Sequence, residues 1–134
     1  MPLRLRIVTP ERELLDQEVE EVTAPGAAGE IGVLPGHITF LTTLSPGRIA
    51  YKIGGRREVV AVFGGYAEVA DNVMTVLADG AEPASEIDLD AAKRGAEEAG
   101  KALAALDPGA AEAVPARRML AQSTARIAAA SDKA

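Results

Sequence analysis

The sequence contains a single histidine, His37, and no cysteine, which limits the chemistry that its side chains can perform. His37 ends a stretch that also holds an acidic residue and three glycines, Gly29-Glu30-Ile31-Gly32-Val33-Leu34-Pro35-Gly36-His37. A nucleophilic site requires an activated nucleophile beside a base, and a zinc site requires several nitrogen or sulfur ligands. Neither can be assembled around one histidine, so we predict that this stretch is not catalytic and holds no metal.

Two interpretations of residues 29–37 remain. Glycine accepts positive φ angles and proline fixes its own φ, so Gly29 and Pro35-Gly36 predict tight turns on either side of a short extended segment. In one interpretation this segment is an ordinary hairpin corner with an exposed histidine. In the other it is a docking loop, because polar side chains on loops held by a rigid scaffold often form binding sites. The residues alone leave both interpretations open.

The composition excludes several classes of protein. The chain has 134 residues, of which 48% are hydrophobic, and this is enough for a core in one or two small domains. Its net charge of −6 argues against nucleic acid as a partner. The lack of cysteine and of an N-terminal apolar run favours a reducing, cytoplasmic compartment. No apolar run approaches the length of about 18 residues that a transmembrane helix needs.

Residues 1–84 are predicted to form β structure. Apolar and polar side chains alternate along residues 3–8, which is the period of a strand with one buried face. The other predicted strands, separated by turn signals, are residues 19–24, 30–34, 38–44, 48–53, 58–63, 66–70 and 73–78. Among those signals, we expect Ser45-Pro46-Gly47 and Gly64-Gly65 to end strands. Short strands at this spacing predict an antiparallel sandwich or barrel.

Alanine becomes dominant after Pro83, so residues 85–134 are predicted to form a second, helical domain. Ser85 or Asp88 is suited to cap its first helix. Small and apolar residues recur at spacings of 3 and 4 in two series, Leu89, Ala92, Ala96, Ala99, Leu103 and Leu106, then Ala113, Ala116, Leu120, Ser123, Ile127 and Ala130. The Asp107-Pro108-Gly109 turn between them predicts an antiparallel helical hairpin. Because alanine buries little area, we expect this hairpin to be held weakly.

Four segments together resemble those of a known family. They are residues 29–37, Gly64-Gly65-Tyr66-Ala67-Glu68-Val69, Asn72-Val73-Met74-Thr75-Val76-Leu77-Ala78-Asp79 and Ile87-Asp88-Leu89-Asp90-Ala91-Ala92. In order and spacing, over essentially the whole chain, the sequence resembles the epsilon subunit of bacterial F-type ATP synthase. The resemblance implies an α+β fold, with an N-terminal antiparallel β-sandwich of about ten strands in residues 1–84 and a C-terminal helical hairpin in residues 85–134.

The resemblance also implies a function, that of a non-catalytic rotor subunit in the central stalk at the cytoplasmic face of the bacterial inner membrane. The implied partners are the gamma subunit, the ring of c subunits and, through the C-terminal helices, the alpha and beta subunits. The residues expected to dock on the c-ring are Glu30, Gly32, Pro35 and His37. Those expected to contact the catalytic head, where the helices restrain ATP hydrolysis, are Arg117, Arg118 and Arg126.

Some members of this family bind ATP through an Ile/Leu-Asp-x-x-Arg-Ala motif at the start of the first helix. The residues here that would form such a site are Ile87, Asp88, Ala92 and Arg126. Ala91, however, stands where the motif has its arginine, and Gln122 stands where a second phosphate-contacting arginine is expected. We therefore expect no cofactor, with ATP at most a weak regulatory ligand. A stand-alone nucleotide sensor and a small enzyme are the less well supported alternatives.

Overall fold

The computed structural model describes residues 2–132, in which eight strands precede two α-helices. The strands are β1 (Leu3–Val8), β2 (Glu13–Val19), β3 (Glu21–Gly26), β4 (Gly29–Val33), β5 (Phe40–Ile53), β6 (Arg56–Ala70), β7 (Val73–Ala78) and β8 (Ala81–Pro83). A 3-10 turn (Ala84–Glu86) leads to the helices α1 (Leu89–Ala104) and α2 (Ala113–Ala130). Met1 and residues 133–134, which end the two predicted domains, lie outside the described residues.

The strands form one hydrogen-bonded sheet that folds over into two layers. Its order is β2-β1-β7-β6-β5-β3-β4, and β8 pairs with a separate part of β6. The central pair is β5 with β6, which stay in antiparallel register from Phe40 opposite Val69 to Ile53 opposite Arg56. One end of this pair continues into β7, and the other continues into β3 and β8. The two halves of the long hairpin therefore belong to different layers.

The strand count is lower than expected because two predicted breaks are bends inside long strands. Leu44 lies opposite Gly65 and Pro46 lies opposite Phe63, so pairing continues across both breaks. Gly64 and Gly65 have φ angles of 100° and 132°, which few residues other than glycine adopt. A Cβ atom on Gly65 would lie 2.1 Å from the Leu77 carbonyl oxygen. The glycines bend β6 from one layer towards the other without ending it.

The sequence pattern does not predict strand β2 or the direction of one strand pair. In β2, Glu-Leu-Leu-Asp-Gln-Glu-Val, exposed polar residues outnumber apolar ones because the strand lies at the edge of the sheet. Opposite charges link it to β1, where Arg4 Nε lies 2.5 Å from Asp16 Oδ1. The β1–β7 pair is parallel, with Arg4 opposite Val73, whereas the other strand pairs in residues 2–132 are antiparallel. The predicted sandwich is nevertheless confirmed.

The hydrophobic core lies between the two layers and is built mainly from aliphatic side chains. Leu3, Leu5 and Ile7 are fully buried in it, as the alternation in β1 predicts. Its other large buried members include Val22, Val33, Ile49, Val62, Val69, Met74 and Val76. In residues 2–132 every buried member of this core belongs to a strand. The domain boundary at residue 84 stays a prediction, although the last strand ends at Pro83.

Helix α2 covers the outer face of the layer that contains the turn end of β5 and β6. Ala50 and Ala61 are buried although neighbouring Ile49 and Val60 belong to the core on the other face. Because these alanines are small, α2 can approach both strands closely, and it contacts both of them. Two buried alanines of α2, Ala125 and Ala129, lie one turn apart on a helix face. Neither belongs to the series of small and apolar residues predicted to contact α1. The sequence predicts the contact between the helices but not the contact between α2 and the sheet.

The ends of the two helices show which of the predicted capping and boundary residues the structure uses. Asp88 caps α1, since its Oδ1 accepts a hydrogen bond from the Ala91 N–H at 3.0 Å. Ser85 lies in the preceding 3-10 turn instead. Helix α1 ends at Ala104, so Leu106 lies beyond the helix to which the periodicity assigned it. Pro115 occupies the first turn of α2, as predicted.

Candidate functional site

The predicted docking loop begins on an edge strand and crosses between the layers. Strand β4 pairs with β3 and ends the sheet order on one side, so its other edge has no strand partner within residues 2–132. Glu30 and Gly32 are exposed on this strand. Residues 34–39 then lead to β5, and Pro35 is exposed in their turn. Leu34 and Ile38 are also largely exposed. We call residues 34–39 the crossing loop.

His37 closes the turn of the crossing loop. Its backbone N–H donates to the Leu34 carbonyl at 3.1 Å, and its Nδ1 donates to the Ile38 carbonyl at 2.8 Å. The half-buried ring packs at a tilt against Phe40, with ring centroids 5.0 Å apart. No hydrogen bond joins His37 to Glu30 in the part of the chain that the structure describes. The structure thus places these two predicted contact residues on separate parts of the segment, one on the edge strand and one in the crossing loop.

A second exposed surface was not identified from the sequence. Leu41, Tyr66 and Leu77 are 68%, 56% and 53% exposed on the adjacent strands β5, β6 and β7. Tyr66 lies directly opposite Leu77, and the three side chains line a depression of about 270 Å³ with Glu68 and Thr75 at its rim. We call Leu41, Tyr66 and Leu77 the apolar patch. Contiguous exposed apolar surface with a polar rim is typical of a protein interface.

A signal for the apolar patch does exist in the sequence. Strand β7 reads Val-Met-Thr-Val-Leu-Ala, in which the buried residues Met74, Val76 and Ala78 alternate with others that face outwards. A sheet with one solvated face should carry polar residues at those outward positions. Leu77 breaks that rule, as does Tyr66 beside it on β6. An apolar residue in the polar phase of an alternating strand therefore indicates the surface.

The end of α2 is anchored to the sheet by a buried carboxylate. The Asp132 side chain is only 5% exposed, and it accepts hydrogen bonds from Arg57 Nε and Nη2 at 2.8 and 2.9 Å. Arg48 Nη1 lies 3.1 Å from the same carboxylate and 3.5 Å from the Ala128 carbonyl. Paired hydrogen bonds between a guanidinium and a carboxylate are strong and directional. The Arg57 pair joins the end of α2 to β6 across 75 residues of sequence, and Arg48 joins it to β5.

A second ion pair joins α2 to β8. Arg126 Nε lies 3.1 Å from both carboxylate oxygens of Glu82, and its Nη2 lies 2.7 Å from Oε1. The same guanidinium lies over the Phe63 ring, 4.8 Å from its centroid, where the face of the ring attracts a cation. We call Arg48, Arg57, Asp132, Glu82 and Arg126 the hairpin anchor. In this conformation Arg126 is therefore occupied by an intramolecular partner.

The four residues predicted for a weak nucleotide site do come together. Ile87, Asp88, Ala92 and Arg126 line one cleft of about 280 Å³ between the start of α1 and the middle of α2. Glu82 and Glu86 line it as well, so three carboxylates oppose one guanidinium there. The Asp88 carboxylate already occupies the positive N-terminus of α1. This charge balance disfavours a polyphosphate.

The remaining predicted arginines lie away from Arg126. Arg117 Nη1 donates to the Pro108 carbonyl at 3.3 Å, which ties α2 to the connection between the helices. Arg118 is exposed and lines a separate depression of about 390 Å³ with Phe63, Gln122 and Arg126. Arg117 and Arg118 therefore lie on the exposed N-terminal half of α2, while Arg126 faces the sheet.

Comparison with known proteins identifies the family. The model of the ATP synthase Delta/Epsilon chain beta-sandwich domain matches residues 2–84. The chain is 48% identical over 128 residues to the ATP synthase epsilon chain of Anaeromyxobacter dehalogenans, which covers 92% of this chain and 97% of that relative. This chain belongs to the ATP synthase epsilon family. The epsilon chain of Nitratidesulfovibrio vulgaris is 51% identical over 92 residues, which is 69% of each protein.

Solved structures agree with this family. An epsilon-like fold with a TM-score of 0.80 and 27% identity occurs in the Euglena gracilis mitochondrial ATP synthase complex of OSCP, F1 and c-ring, where the match covers 91% of this chain and 77% of that one. A Tetrahymena thermophila central stalk and c-ring structure matches in fold with a TM-score of 0.63 at 15% identity over 92% of each chain. As a member of this family, the chain is a non-catalytic stalk subunit of ATP synthase. Neither helix in residues 2–132 is long and apolar enough to cross a bilayer.

The pairing of Asp132 with Arg57 and Arg48 contributes stability that does not vary with pH near neutrality. The hydrogen bonds from Arg57 lower the pKa of Asp132, the Arg57 and Arg48 charges lower it further, and burial opposes them. A lowered carboxyl pKa contributes stability that is fully present above the ordinary value of about 4 and is lost as the pH falls through the lowered value. At neutral pH the contribution is therefore constant.

We predict that Asp132→Asn loosens the C-terminal half of α2. The change leaves Arg48 and Arg57 without their anionic partner, and hydrogen bonds to charged groups are worth about 1–3 kcal/mol. In hydrogen exchange on the isolated chain, amides of residues 125–130 should exchange roughly tenfold faster, since about 1.4 kcal/mol corresponds to a factor of ten.

Lys101→Gln provides the matched control. It breaks the Glu97–Lys101 pair on α1, whose side chains are 67% and 75% exposed, and such pairs contribute about 0–1 kcal/mol. Exchange in α2 should be unchanged in this variant. Equal exchange in wild type and Asp132→Asn would mean that the carboxylate does not hold the helix.

Proposed function

We propose that this epsilon chain connects the c-ring to the gamma subunit through its β-sandwich and restrains ATP hydrolysis through α1 and α2. It would act in the rotor at the cytoplasmic face of the bacterial inner membrane, held there only through the complex. The observation that carries the proposal is the apolar patch on a rigid sheet. A stalk subunit must transmit force between partners, and an exposed apolar surface on paired strands provides a stiff attachment.

Gamma is the partner that fits the apolar patch. Tyr66 and the two leucines offer a hydrophobic centre with Glu68 at its rim, which is the usual arrangement at a stable interface between subunits. The c-ring fits the segment from Glu30 to His37. There Glu30 and Gly32 are exposed on a strand edge that has no partner among residues 2–132, and Pro35 lies in an exposed turn. Polar groups there suit the polar loops of the c subunits. The two partners would thus meet different parts of one sandwich.

We predict that cysteines at Glu30 and His37 cross-link to c-subunit loops in the assembled enzyme, whereas a cysteine at Tyr66 cross-links to gamma. A cysteine at Glu18 is the control, because β2 is the opposite edge strand of the sheet. It should capture neither partner in comparable yield. Capture of gamma alone from Glu30 and His37 would refute the c-ring contact, and failure to capture gamma from Tyr66 would refute the role of the apolar patch.

The hairpin is suited to leave the sandwich because small residues form its contacts. Ala92 and Ala99 are the buried residues of α1, and each buries little apolar area. Alanine also has the highest helix propensity, so both helices can persist after they separate. Extension would break the hairpin anchor and release Arg126, which could then join Arg117 and Arg118 against acidic segments of the alpha and beta subunits. A differential affinity of a few kcal/mol suffices for such a shift.

A pair of glycines in α1 tests this switch. A Cβ atom on Gly95 would lie 2.8 Å from the Ser123 hydroxyl oxygen, whereas one on Gly100 would meet nothing within 4 Å. Both changes to alanine remove a glycine that costs about 1 kcal/mol in a helix. Only Gly95→Ala places a Cβ atom against α2, where either the Ser123 hydroxyl or the helices themselves must shift. We predict that Gly95→Ala lowers ATP hydrolysis by the assembled enzyme about threefold, while Gly100→Ala leaves the rate unchanged.

A second substitution separates packing from other effects. Ser123→Ala removes the hydroxyl, and the Ser123 Cβ lies at an ordinary 3.8 Å from the added Gly95 Cβ. Gly95→Ala combined with Ser123→Ala should therefore hydrolyse ATP at the wild-type rate. Equal rates for Gly95→Ala and Gly100→Ala would show that the contact between the helices does not control hydrolysis.

We propose further that ATP is not a tight ligand of this epsilon chain. The cleft between α1 and α2 lacks the guanidinium that Ala91 replaces, and Glu82 holds the one guanidinium that is present. A lysine or arginine elsewhere on α1 cannot substitute, since a rigid paired contact with phosphate depends on position. Occupation of the cleft would also bring the phosphates close to three carboxylates.

Calorimetry on the isolated chain tests this proposal. We predict no ATP binding at micromolar concentrations by the wild-type chain, and at least tenfold tighter binding after Ala91→Arg, which places a guanidinium at the cleft. Ala102→Arg is the control, because it adds the same charge to an exposed position of α1 outside the cleft. A micromolar dissociation constant for the wild-type chain would contradict the proposal.

A further inference from the structure

The turn between β6 and β7 has an unusual backbone. Asp71 and Asn72 have φ angles of 52° and 63°, and these are the residues other than glycine with positive φ in residues 2–132. Asparagine and aspartate tolerate this conformation better than other side chains do, and it is the conformation that a tight hairpin turn needs. The backbone alone would therefore accept Asn, Asp or Gly at residue 72. The turn does not by itself explain which side chain is present.

The Asn72 side chain makes a contact that the turn does not require. Its Oδ1 accepts a hydrogen bond from the Gly36 N–H at 2.6 Å, across 36 residues of sequence. The Asn72 backbone carbonyl accepts from the Arg4 N–H at 2.9 Å, which ties the same residue to β1. Asn72 therefore bonds to the sheet through its main chain and to the crossing loop through its side chain.

The crossing loop has few other attachments of this kind. Its other hydrogen bonds are internal, from His37 to Leu34 and to Ile38. Within residues 2–132, the bond to Asn72 is the hydrogen bond that links residues 34–39 to another element. Gly36 itself has a φ of 84° and a Cβ there would meet no atom within 4 Å, so its neighbours do not clamp it sterically. Asn72 therefore supplies the hydrogen-bond acceptor that ties this turn to the corner between β6 and β7.

We propose that Asn72 is a positioning residue that holds the crossing loop in its docking conformation. By fixing the Gly36 amide it sets the turn from Leu34 to His37 relative to the sheet. Asn72 also directly precedes β7, the strand that carries Leu77 of the apolar patch. The same residue thus keeps the c-ring surface in a fixed relation to the gamma surface. The assignment of these surfaces to the c-ring and to gamma rests on the proposed function, whereas the hold of Asn72 on the crossing loop does not.

Three variants separate the acceptor from the backbone of the turn. Asn72→Gly retains access to positive φ but removes the acceptor oxygen. Asn72→Asp retains both the access to positive φ and an acceptor oxygen. Asp71→Gly makes the same kind of change at the neighbouring turn residue, which has no side-chain hydrogen bond to the loop in the described residues. Thermal melting should show that all three chains are folded.

The first measurement is hydrogen exchange of the Gly36 amide in the isolated full-length chain. We expect exchange to become about three- to tenfold faster in Asn72→Gly and to stay near the wild-type rate in Asn72→Asp and Asp71→Gly. Wild-type exchange in Asn72→Gly would overturn the proposal. Equal loss of protection in Asn72→Gly and Asn72→Asp would also overturn it, because the acceptor would then have no role.

The second measurement concerns the assembled ATP synthase. A cysteine at Ile38, which is 76% exposed on the crossing loop, reports the position of the loop against the c-ring. We expect its cross-linking yield to c subunits to fall severalfold in Asn72→Gly and to be retained in Asn72→Asp. An unchanged yield in Asn72→Gly would overturn positioning for docking. If Ile38→Cys in the otherwise wild-type chain does not cross-link to the c-ring, the docking proposal fails. Hydrogen exchange of the Gly36 amide then still tests whether Asn72 holds the crossing loop.

Discussion

The unbroken pairing of β5 with β6 is the constraint on which the rest of this structure depends. Every backbone N–H and C=O group that is removed from water needs a partner, so a hairpin of this length can bend only where both strands bend together. The Pro46 and Gly64 regions lie opposite each other and meet that condition. On one side of the bend the hairpin supports β7, β1 and β2, and on the other it supports β3, β4 and β8. A break in either strand would separate the two layers and open the core between them.

The same hairpin determines how α2 is attached. On its outer face Ala50 and Ala61 keep the surface shallow, so helix α2 gains close contact but little buried apolar area. The hydrophobic core gains its stability from many non-directional contacts, whereas α2 depends more on the directional ion pairs of Arg57 and Arg48 with Asp132. The paired hydrogen bonds between a guanidinium and a carboxylate require one relative orientation of the two groups, which suits an element that is either docked or released.

The features that could be predicted from the sequence are those that depend on residues close together along the chain. The alternation in β1 and the capping carboxylate of Asp88 are local, and the structure contains both. Gly64-Gly65 illustrates the limit, since glycine permits a turn and a bend equally and only the opposite strand decides between them. The pairs Arg57–Asp132 and Gly36–Asn72 join residues 75 and 36 positions apart, and nothing in a single sequence relates those positions. The family pattern indicated Arg126 as a functional residue but gave no sign that Glu82 is its partner here.

Arg126 links the proposed regulation to the position of α2, because its guanidinium can pair with only one carboxylate partner at a time. A guanidinium held by both oxygens of Glu82 and by the Phe63 ring cannot at the same time form paired contacts with another carboxylate. An acidic segment of a neighbouring subunit must therefore compete with Glu82, and it can do so only if α2 leaves the sheet. Leaving also breaks the contacts of Asp132, so the two ion pairs are released in one event. A partner that binds the released helix must therefore compensate for the loss of both ion pairs of the hairpin anchor at once.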